Sequence, residues 1–244
     1  MGEIARITLE EYREKRRRLL EEAPKFRHLC IECFQPSYGC YCADVKPFDP
    51  MMKFMILIHP IEVRRRIATG RMSHLCLENS ELIRGKDYSE DAAVNRVVDD
   101  PDTHSIVLYP GRGSANLTEM TVPERAALFP RDKKLAVFVI DGTWATARPM
   151  IRSRNLADPP RVCFTSTTPS RFRVRKQPKP GCFSTIEAIH SLIDLIGETR
   201  GFDVASRRHD SLLDVFDGMV ERQIACTERL RSNRQANFRR VVGK

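Results

Sequence analysis

Four cysteines near the N-terminus are spaced so that they could bind one metal ion. The segment "CIECFQPSYGCYC" contains two close pairs, Cys30 with Cys33 and Cys40 with Cys42. Zinc takes four soft ligands in a tetrahedron, and two close pairs joined by a turn can surround one ion. The spacing therefore predicts a structural zinc site with no open coordination position. The alternatives are a disulfide, which a reducing compartment disfavours, and a redox pair, for which the flanking βαβ pattern is missing.

A second candidate site follows an apolar run in the middle of the chain. Residues 137–140, "VFVI", are continuously β-branched or aromatic, which is typical of a strand buried on both faces. Asp141 and Gly142 end this run, and helix-forming residues follow from Trp144. Asp141, Gly142 and Thr143 are therefore expected on a strand-to-helix turn at the carboxyl edge of a sheet, where open α/β sheets bind ligands.

The surrounding sequence predicts an α/β fold with a mostly parallel sheet and crossover helices. From residue 53, short apolar runs such as "KFMILI", "SIVLYP" and "RVCFT" alternate with polar or helical stretches. Ser184 is predicted to cap an amphipathic helix that ends near Ile196, with Glu187 completing a capping box. The N-terminus of that helix offers free backbone amides to a ligand.

The composition favours a globular protein with a polyanionic partner. The 244 residues are 41% hydrophobic and 30% charged, and their formal net charge is +9. A positive balance favours nucleic acid without establishing it. The apolar runs are too short to cross a bilayer, and the N-terminus lacks the apolar core of a signal peptide. We therefore expect a cytoplasmic protein without membrane contact, and nothing in the sequence implies a protein partner.

Basic residues are concentrated in one loop and at the C-terminus. The loop "SRFRVRKQPKP" surrounds Phe172 with arginines and lysines, a combination that suits phosphate groups and a stacked base. A solvated basic loop is the alternative. Residues 222–244 carry seven basic residues and one acid, and they form either a solubilising tail or a second contact to nucleic acid.

The order of these motifs resembles the DTW-domain family. The matching segments are the cysteine cluster, "HPIE" (59–62), "TGR" (69–71), "LYP" (108–110), "DGTWATAR" (141–148), "PSRFRVRKQP" (169–178) and "STIEA" (184–188). Two positions depart from the family pattern, since Ala68 replaces a usual asparagine and Phe172 a usual tyrosine. The family consists of tRNA-uridine aminocarboxypropyltransferases related to the SPOUT methyltransferases. The resemblance thus implies a SPOUT-like fold, for which a knotted chain is one option.

The resemblance also implies a reaction and a set of site residues. The reaction is transfer of the 3-amino-3-carboxypropyl group of S-adenosylmethionine to N3 of a tRNA uridine, which yields acp3U and methylthioadenosine. Asp141 is then the candidate catalytic base for the N3 proton, and the alternative is that Asp141 caps the following helix while Trp144 fills the core. The expected cofactor-binding residues are Thr69, Gly70, Tyr109, Pro110, Gly111, Asp141, Gly142, Thr143, Trp144, Arg175, Ser184 and Thr185. The expected RNA-binding residues are Arg148, Arg171, Arg173, Lys176 and Lys179.

The sequence is predicted to divide into three segments, and two functions other than aminocarboxypropyl transfer stay open. Residues 1–50 are predicted to hold an N-terminal helix and the zinc-binding segment, 51–200 the DTW catalytic domain, and 201–244 a helical, basic extension. An RNA methyltransferase would use the same cofactor and leave S-adenosylhomocysteine. A zinc-containing RNA-binding module without catalysis would explain the charge and the cysteines, but it leaves the "DGTW" and "STIEA" loops without a purpose.

Overall fold

The computed structural model describes residues 8–22, 28–166, 168–175 and 181–242, and for 19–22 and 230–242 it describes the backbone alone. The strands in these residues are β1 (Lys53–Ile58), β2 (Ser80–Arg84), β3 (Thr103–Leu108), β4 (Ala115–Asn116), β5 (Lys134–Asp141) and β6 (Arg161–Cys163). The α-helices are α1 (Leu9–Glu22), α2 (Pro60–Val63), α3 (Thr69–Cys76), α4 (Ala92–Val98), α5 (Val122–Leu128), α6 (Trp144–Met150), α7 (Thr185–Ile196) and α8 (Ser211–Val242).

The six strands form one parallel sheet in the order β2-β1-β5-β3-β6-β4. Parallel neighbours need crossover connections, and helices lie in most of the connections here. β5 lies in the interior of the sheet, which explains its uninterrupted apolar run. The predicted α/β class with a parallel sheet is confirmed, and the knot stays a prediction.

Helices cover both faces of the sheet. Val137 and Val139 of β5 belong to the core that α3, α7 and α8 complete, whereas Phe138 belongs to the core beneath α4 and α6. Successive strand residues point to opposite faces, so Asp141 lies on the same face as Val139. The carboxylate that ends β5 is therefore directed toward the layer of α3, α7 and α8.

The helix predicted after Ser184 is present as α7. The Ser184 backbone N–H and hydroxyl both donate to the Glu187 carboxylate, at 2.9 and 2.6 Å. Ile186, Ile189 and other apolar residues of one stripe are buried against the sheet. The capping pair and the apolar stripe confirm the predicted start and the buried face of this helix.

The N-terminal and C-terminal segments share the core of the sheet. Cys33 and Tyr41 of the cysteine segment lie in the same buried cluster as Leu212 and Phe216 of α8. The cysteine segment and the first turns of α8 are thus packed against the central layers, whereas the side chains described in α1 are mostly exposed. None of the helices in the described residues has the length and apolar character needed to cross a membrane.

Phe172 belongs to this core and is not part of an RNA-facing surface. The side chain is buried, and its ring centroid lies 5.1 Å from that of Phe216 in an edge-on contact. Apolar and basic residues alternate in the loop, so Phe172 and Val174 pack inward while Arg171 and Arg173 are exposed. The expectation that Phe172 stacks on an RNA base is therefore wrong.

Candidate active site

Three elements meet at the carboxylate that ends β5. Asp141 is only 6% exposed. Its Oδ1 accepts a hydrogen bond from Thr185 Oγ1 at 2.6 Å, and its Oδ2 accepts one from the Gly70 backbone N–H at 3.2 Å. Thr185 and Gly70 lie in the first turns of α7 and α3. Three of the residues expected to bind the cofactor are thus brought together at the carboxyl edge of the sheet.

Asp141 does not cap the helix that follows it. The N-cap of α6 is Thr143, whose hydroxyl accepts a hydrogen bond from the Thr146 backbone N–H at 3.3 Å. The Ser184 hydroxyl likewise serves α7, since it donates to Glu187. The interpretation of Asp141 as a helix cap is therefore wrong, and its burial needs another explanation.

The loop after β3 lies beside this site. β3 is the neighbour of β5, so Tyr109, Pro110 and Gly111 are placed at the same edge of the sheet. The rings of Tyr109 and Trp144 make an edge-on contact, with centroids 6.2 Å apart. Trp144 is 38% exposed, and the interpretation of this residue as core filler is therefore wrong. The two rings form an aromatic wall next to the turn that contains Asp141.

The environment of Asp141 makes its carboxyl group a candidate proton acceptor near neutral pH. Burial raises the pKa of Asp141 to about 6, the charge of Glu62 acts in the same direction, and the hydrogen bond from Thr185 partly opposes both. A general base works best when its pKa lies close to the working pH. Burial combined with a nearby like charge is a recurrent feature of catalytic carboxyl groups.

Glu62 is a second buried carboxylate that the sequence analysis did not single out. It belongs to the "HPIE" motif in α2 and is 3% exposed. Arg65 Nε lies 3.3 Å from its Oε1 and Arg175 Nη1 lies 4.0 Å from its Oε2, but Oε1 has no hydrogen bond within the described residues. The signal available in the sequence was an acid placed four residues after Ile58, the end of β1.

The four cysteines of the N-terminal segment are close enough to bind one ion. The Sγ atoms of Cys30 and Cys42 are 3.6 Å apart, as are those of Cys33 and Cys40, and all four lie within 4.8 Å of one another. Zn–S bonds of about 2.3 Å in a tetrahedron place the sulfurs about 3.8 Å apart. A disulfide would need about 2.05 Å. The geometry therefore fits a four-thiolate zinc site and not the disulfide alternative.

Backbone N–H groups next to Cys30 favour the thiolate form of its side chain. The N–H groups of Cys33 and Glu32 lower the pKa of the Cys30 thiol to about 7. Burial raises the pKa of the Cys33 and Cys42 thiols, so a bound ion would have to displace their protons. Metal ligands of this kind are bound as thiolates, and Cys30 is the one of these three whose surroundings favour that form. The donor set and its backbone surroundings are both consistent with a structural metal.

A family model described as the DTW domain matches residues 27–224, which include the cysteine cluster, the sheet and the first part of α8. The chain belongs to the DTW-domain family. The matched span includes β5, α3 and α7, which meet at Asp141, together with α2 and the cysteine segment.

Three curated relatives of this DTW protein carry the name tRNA-uridine aminocarboxypropyltransferase 2. The protein from Drosophila melanogaster is 31% identical over 175 residues, which are 68% of this chain and 65% of the relative. The Mus musculus protein is 28% identical over 163 residues (65% and 53%), and the Macaca fascicularis protein is 26% identical over 171 residues (68% and 55%). The chain thus spans between about half and two thirds of these relatives. No solved structure gives a significant match.

The basic loop of the DTW domain divides into two parts. Arg175 approaches the buried carboxylates, since its Nη1 lies 4.0 Å from Glu62. Arg171 and Arg173 instead form ion pairs with acids of α8, Arg171 with Asp217 at 2.7 Å and Arg173 with Glu221. Arg148, another predicted RNA contact, is exposed on α6. Lys176 and Lys179 lie outside the described residues.

Gly70 is the position of the DTW domain where an added methyl group should disturb the Asp141 carboxylate most. A Cβ atom there would lie 2.8 Å from Asp141 Cγ and closer still to Oδ2. We expect Gly70→Ala to displace the carboxylate, to lower turnover at least about tenfold, and to lower the free energy of unfolding by about 1–3 kcal/mol. Steady-state kinetics and urea unfolding measure the two effects.

Gly218→Ala is the matched control for Gly70→Ala. Gly218 lies in α8, where a new Cβ would meet the Arg222 Nη1 at an ordinary 3.5 Å. Alanine is also the better helix former, so this variant should be at least as stable as the wild type. Wild-type turnover in Gly70→Ala would show that the position of the Asp141 carboxylate does not matter for the reaction.

Proposed function

We propose that this protein transfers the 3-amino-3-carboxypropyl group of S-adenosylmethionine to N3 of a uridine in tRNA, giving acp3U and methylthioadenosine. The observation that carries the proposal is the buried Asp141 carboxylate, with its raised pKa, at the junction of β5, α3 and α7. The DTW family match and the names of the relatives support the same reaction class.

The charged groups at the site match the charges of the methionyl part of the co-substrate. That part carries a sulfonium, an ammonium and a carboxylate. Glu62 offers a buried oxygen without a hydrogen bond in the described residues, and Arg175 lies beside it with a guanidinium that suits a carboxylate. A bound cation would offset the cost of keeping Glu62 and Asp141 buried side by side.

Orientation decides which group is transferred. When bound, S-adenosylmethionine supplies a sulfonium whose neighbouring carbons are all electrophilic, so the protein selects the reacting carbon by placing it against the nucleophile. Apart from Arg175, the predicted cofactor residues lie in four loops or first helical turns: 69–70, 109–111, 141–144 and 184–185. These loops are proposed to hold the adenosine and to direct the aminocarboxypropyl chain toward Asp141.

Asp141 is proposed to act as the general base. Uridine N3 carries a proton and is a weak nucleophile until the proton leaves. In the proposed step the N3–carbon bond forms, the carbon–sulfur bond breaks, the N3 proton passes to Asp141, and methylthioadenosine departs. A positioned base of this kind contributes about 10² to 10⁴ in rate.

The cysteine cluster is proposed to hold structural zinc. Cys30, Cys33, Cys40 and Cys42 supply all four ligands, so no position is left for a substrate or a catalytic water. Cys33 is fully buried in the main core, and the ion would thus connect this segment to the sheet. Zinc would stabilise the fold and take no part in the transfer.

The exposed arginines and lysines are proposed to contact tRNA. Arg171 and Arg173 are paired with Asp217 and Glu221, but these pairs are solvent-exposed and each contributes little stability. A tRNA phosphate could therefore replace the acid at low cost. Arg148, Lys176 and Lys179 stay predictions of the same kind, as does the cytoplasmic location.

Nucleoside mass spectrometry tests the proposed reaction. Unmodified tRNA is incubated with the protein and S-adenosylmethionine, digested to nucleosides and analysed together with the small-molecule products. We expect a uridine that has gained the aminocarboxypropyl group, and methylthioadenosine in equal amount. S-Adenosylhomocysteine with a methylated nucleoside would favour the methyltransferase alternative, and unchanged tRNA that nevertheless binds would favour the RNA-binding module.

A further inference from the structure

A pocket of about 230 Å³ lies between the cysteine segment and α3. Its polar and aromatic lining comes from Glu32, Phe34, Arg71, His74 and Arg84. None of these residues is used in the proposed transfer step. The pocket is thus separate from the groups of the transfer step, and it is built from the cysteine segment and from α3, whose first turn contains Gly70.

The pocket lies close to the proposed reaction site. Ile58, which lines it, is paired with Arg84 of β2 on one side and with Asp141 of β5 on the other. Neighbouring strands are about 4.8 Å apart, so the Cα atoms of Arg84 and Asp141 are separated by about 10 Å. A larger cavity, of about 690 Å³, lies at the opposite, amino-terminal edge of the sheet and is remote from both.

Arg71 presents a buried donor to this pocket. The residue is 4% exposed, and one guanidinium nitrogen, Nη2, donates to the Val63 carbonyl. The other, Nη1, is buried and has no hydrogen-bond partner among the described residues. Buried polar groups are nearly always paired in folded proteins, so an unpaired donor on a residue that lines a pocket is available to an acceptor that a ligand supplies.

Phe34 supplies a stacking surface at the rim. Its ring is 41% exposed, and the Arg71 guanidinium lies over it at 4.1 Å from the centroid. Phe34 also has a φ of +55°, a left-handed conformation that is costly for a residue with a side chain. Proteins that recognise unpaired RNA bases stack them on aromatic rings and on arginine planes of this kind.

The rim of the pocket is cationic. Arg84 lines it directly and is exposed, and Val63, which also lines it, is followed by the exposed run Arg64 to Arg66. Among the residues that the structure describes, Glu32 is the one acid that lines it. A phosphate group beside the stacked base would therefore meet positive charge, which favours a nucleotide over a neutral nucleoside.

We propose that this pocket binds one nucleotide of the tRNA substrate next to the acceptor uridine. The base stacks on Phe34, its phosphate lies against Arg84, and Arg71 Nη1 donates to an oxygen of the nucleotide. The proposal takes from the proposed function the identity of the RNA and the place of the acceptor uridine beside Asp141. It assigns the cysteine segment a part in substrate recognition in addition to its structural part.

Two variants with matched controls test this interface. Phe34→Ala is compared with Tyr38→Ala, an exposed aromatic of the same segment that does not line the pocket. Arg84→Ala is compared with Arg96→Ala, an exposed arginine of α4 that lines the remote cavity. Binding of unmodified tRNA transcripts is measured across a salt series, alongside the affinity for S-adenosylmethionine and the zinc content of each protein.

The expected result is specific to the pocket. Phe34→Ala should weaken tRNA binding about tenfold, as loss of one stacked base does. Arg84→Ala should weaken it and reduce the salt slope by about one. Both should leave the S-adenosylmethionine affinity and the zinc content unchanged, and the controls should bind as the wild type.

Two results would overturn the proposal. Wild-type tRNA affinity and salt slope in both Phe34→Ala and Arg84→Ala would remove the pocket from the tRNA interface. A selective loss of S-adenosylmethionine affinity would assign it to the co-substrate instead. Because binding is measured without transfer, a wild-type protein that binds tRNA through this pocket but does not modify it would refute the proposed function and leave the pocket's part in tRNA binding standing.

Discussion

Asp141→Asn should lower the rate of transfer by about 10² to 10⁴ while the protein remains folded. Asparagine can keep both contacts of this position, with Oδ1 accepting from the Gly70 N–H and the amide nitrogen donating to Thr185 Oγ1. The substitution therefore removes the proton acceptor and leaves the loop in place. Single-turnover kinetics measure the rate, and titration measures the affinity for S-adenosylmethionine, which should change little.

The same substitution should change the dependence of stability on pH. Burial raises the pKa of Asp141 to about 6, so the folded state holds this proton more tightly than the unfolded state does. The free energy of unfolding of the wild type should thus fall as pH rises from about 4 to about 6, by an amount on the order of 3 kcal/mol. Asp141→Asn lacks this titration and should be at least as stable as the wild type at pH 8.

Asp158→Asn is the control, because Asp158 is exposed and its replacement removes the same charge. It should retain wild-type turnover and the wild-type pH profile of urea unfolding midpoints. Parallel losses of turnover and of cofactor affinity in Asp141→Asn would instead assign Asp141 to holding the ligand. A marked loss of stability at pH 8 would assign it to the fold.

Cys33→Ser should abolish stoichiometric zinc binding and sharply reduce the yield of folded protein. Cys33 is fully buried in the core, so an empty site would leave this segment without its cross-link. Zinc binding by small four-ligand sites contributes about 10–16 kcal/mol in isolated peptides, although the larger core of this chain will retain part of its stability without it. Elemental analysis and thermal unfolding with and without a chelator measure the effect.

Cys226→Ser is the matched control, since this cysteine is partly exposed on α8 and lies outside the cluster. It should keep both the metal content and the unfolding temperature of the wild type. Purified wild-type protein without stoichiometric metal would refute the zinc assignment. So would a Cys33→Ser variant that retains its metal and its unfolding temperature.

The parts of the fold that the sequence predicted are those whose signals are local. The apolar run that ends at Asp141 shows a buried strand because it contains no polar residue. Ser184 and Glu187 show a helix start because the two residues bond each other across one turn. The cysteine spacing likewise shows a possible metal site, since its four ligands lie within one short segment.

The parts that the sequence did not predict depend on distant contacts. Arg171 and Arg173 read as free cations, but their partners Asp217 and Glu221 lie 46 and 48 positions later on α8. Glu62 reads as an ordinary acid in a short helix, yet the folded chain leaves it only 3% exposed. Residues of this kind acquire their roles from tertiary structure, which no single-segment pattern encodes.

Two samples of S-adenosylmethionine, one labelled at the carboxyl carbon and one at the methyl carbon, test the central claim most directly. Each is incubated with the wild-type protein and unmodified tRNA, and the label in recovered tRNA is counted. Transfer of the aminocarboxypropyl group predicts that the carboxyl label enters tRNA and that the methyl label stays with the released nucleoside. Methyl label in tRNA without carboxyl label, or neither label in tRNA that binds the protein, would contradict the account.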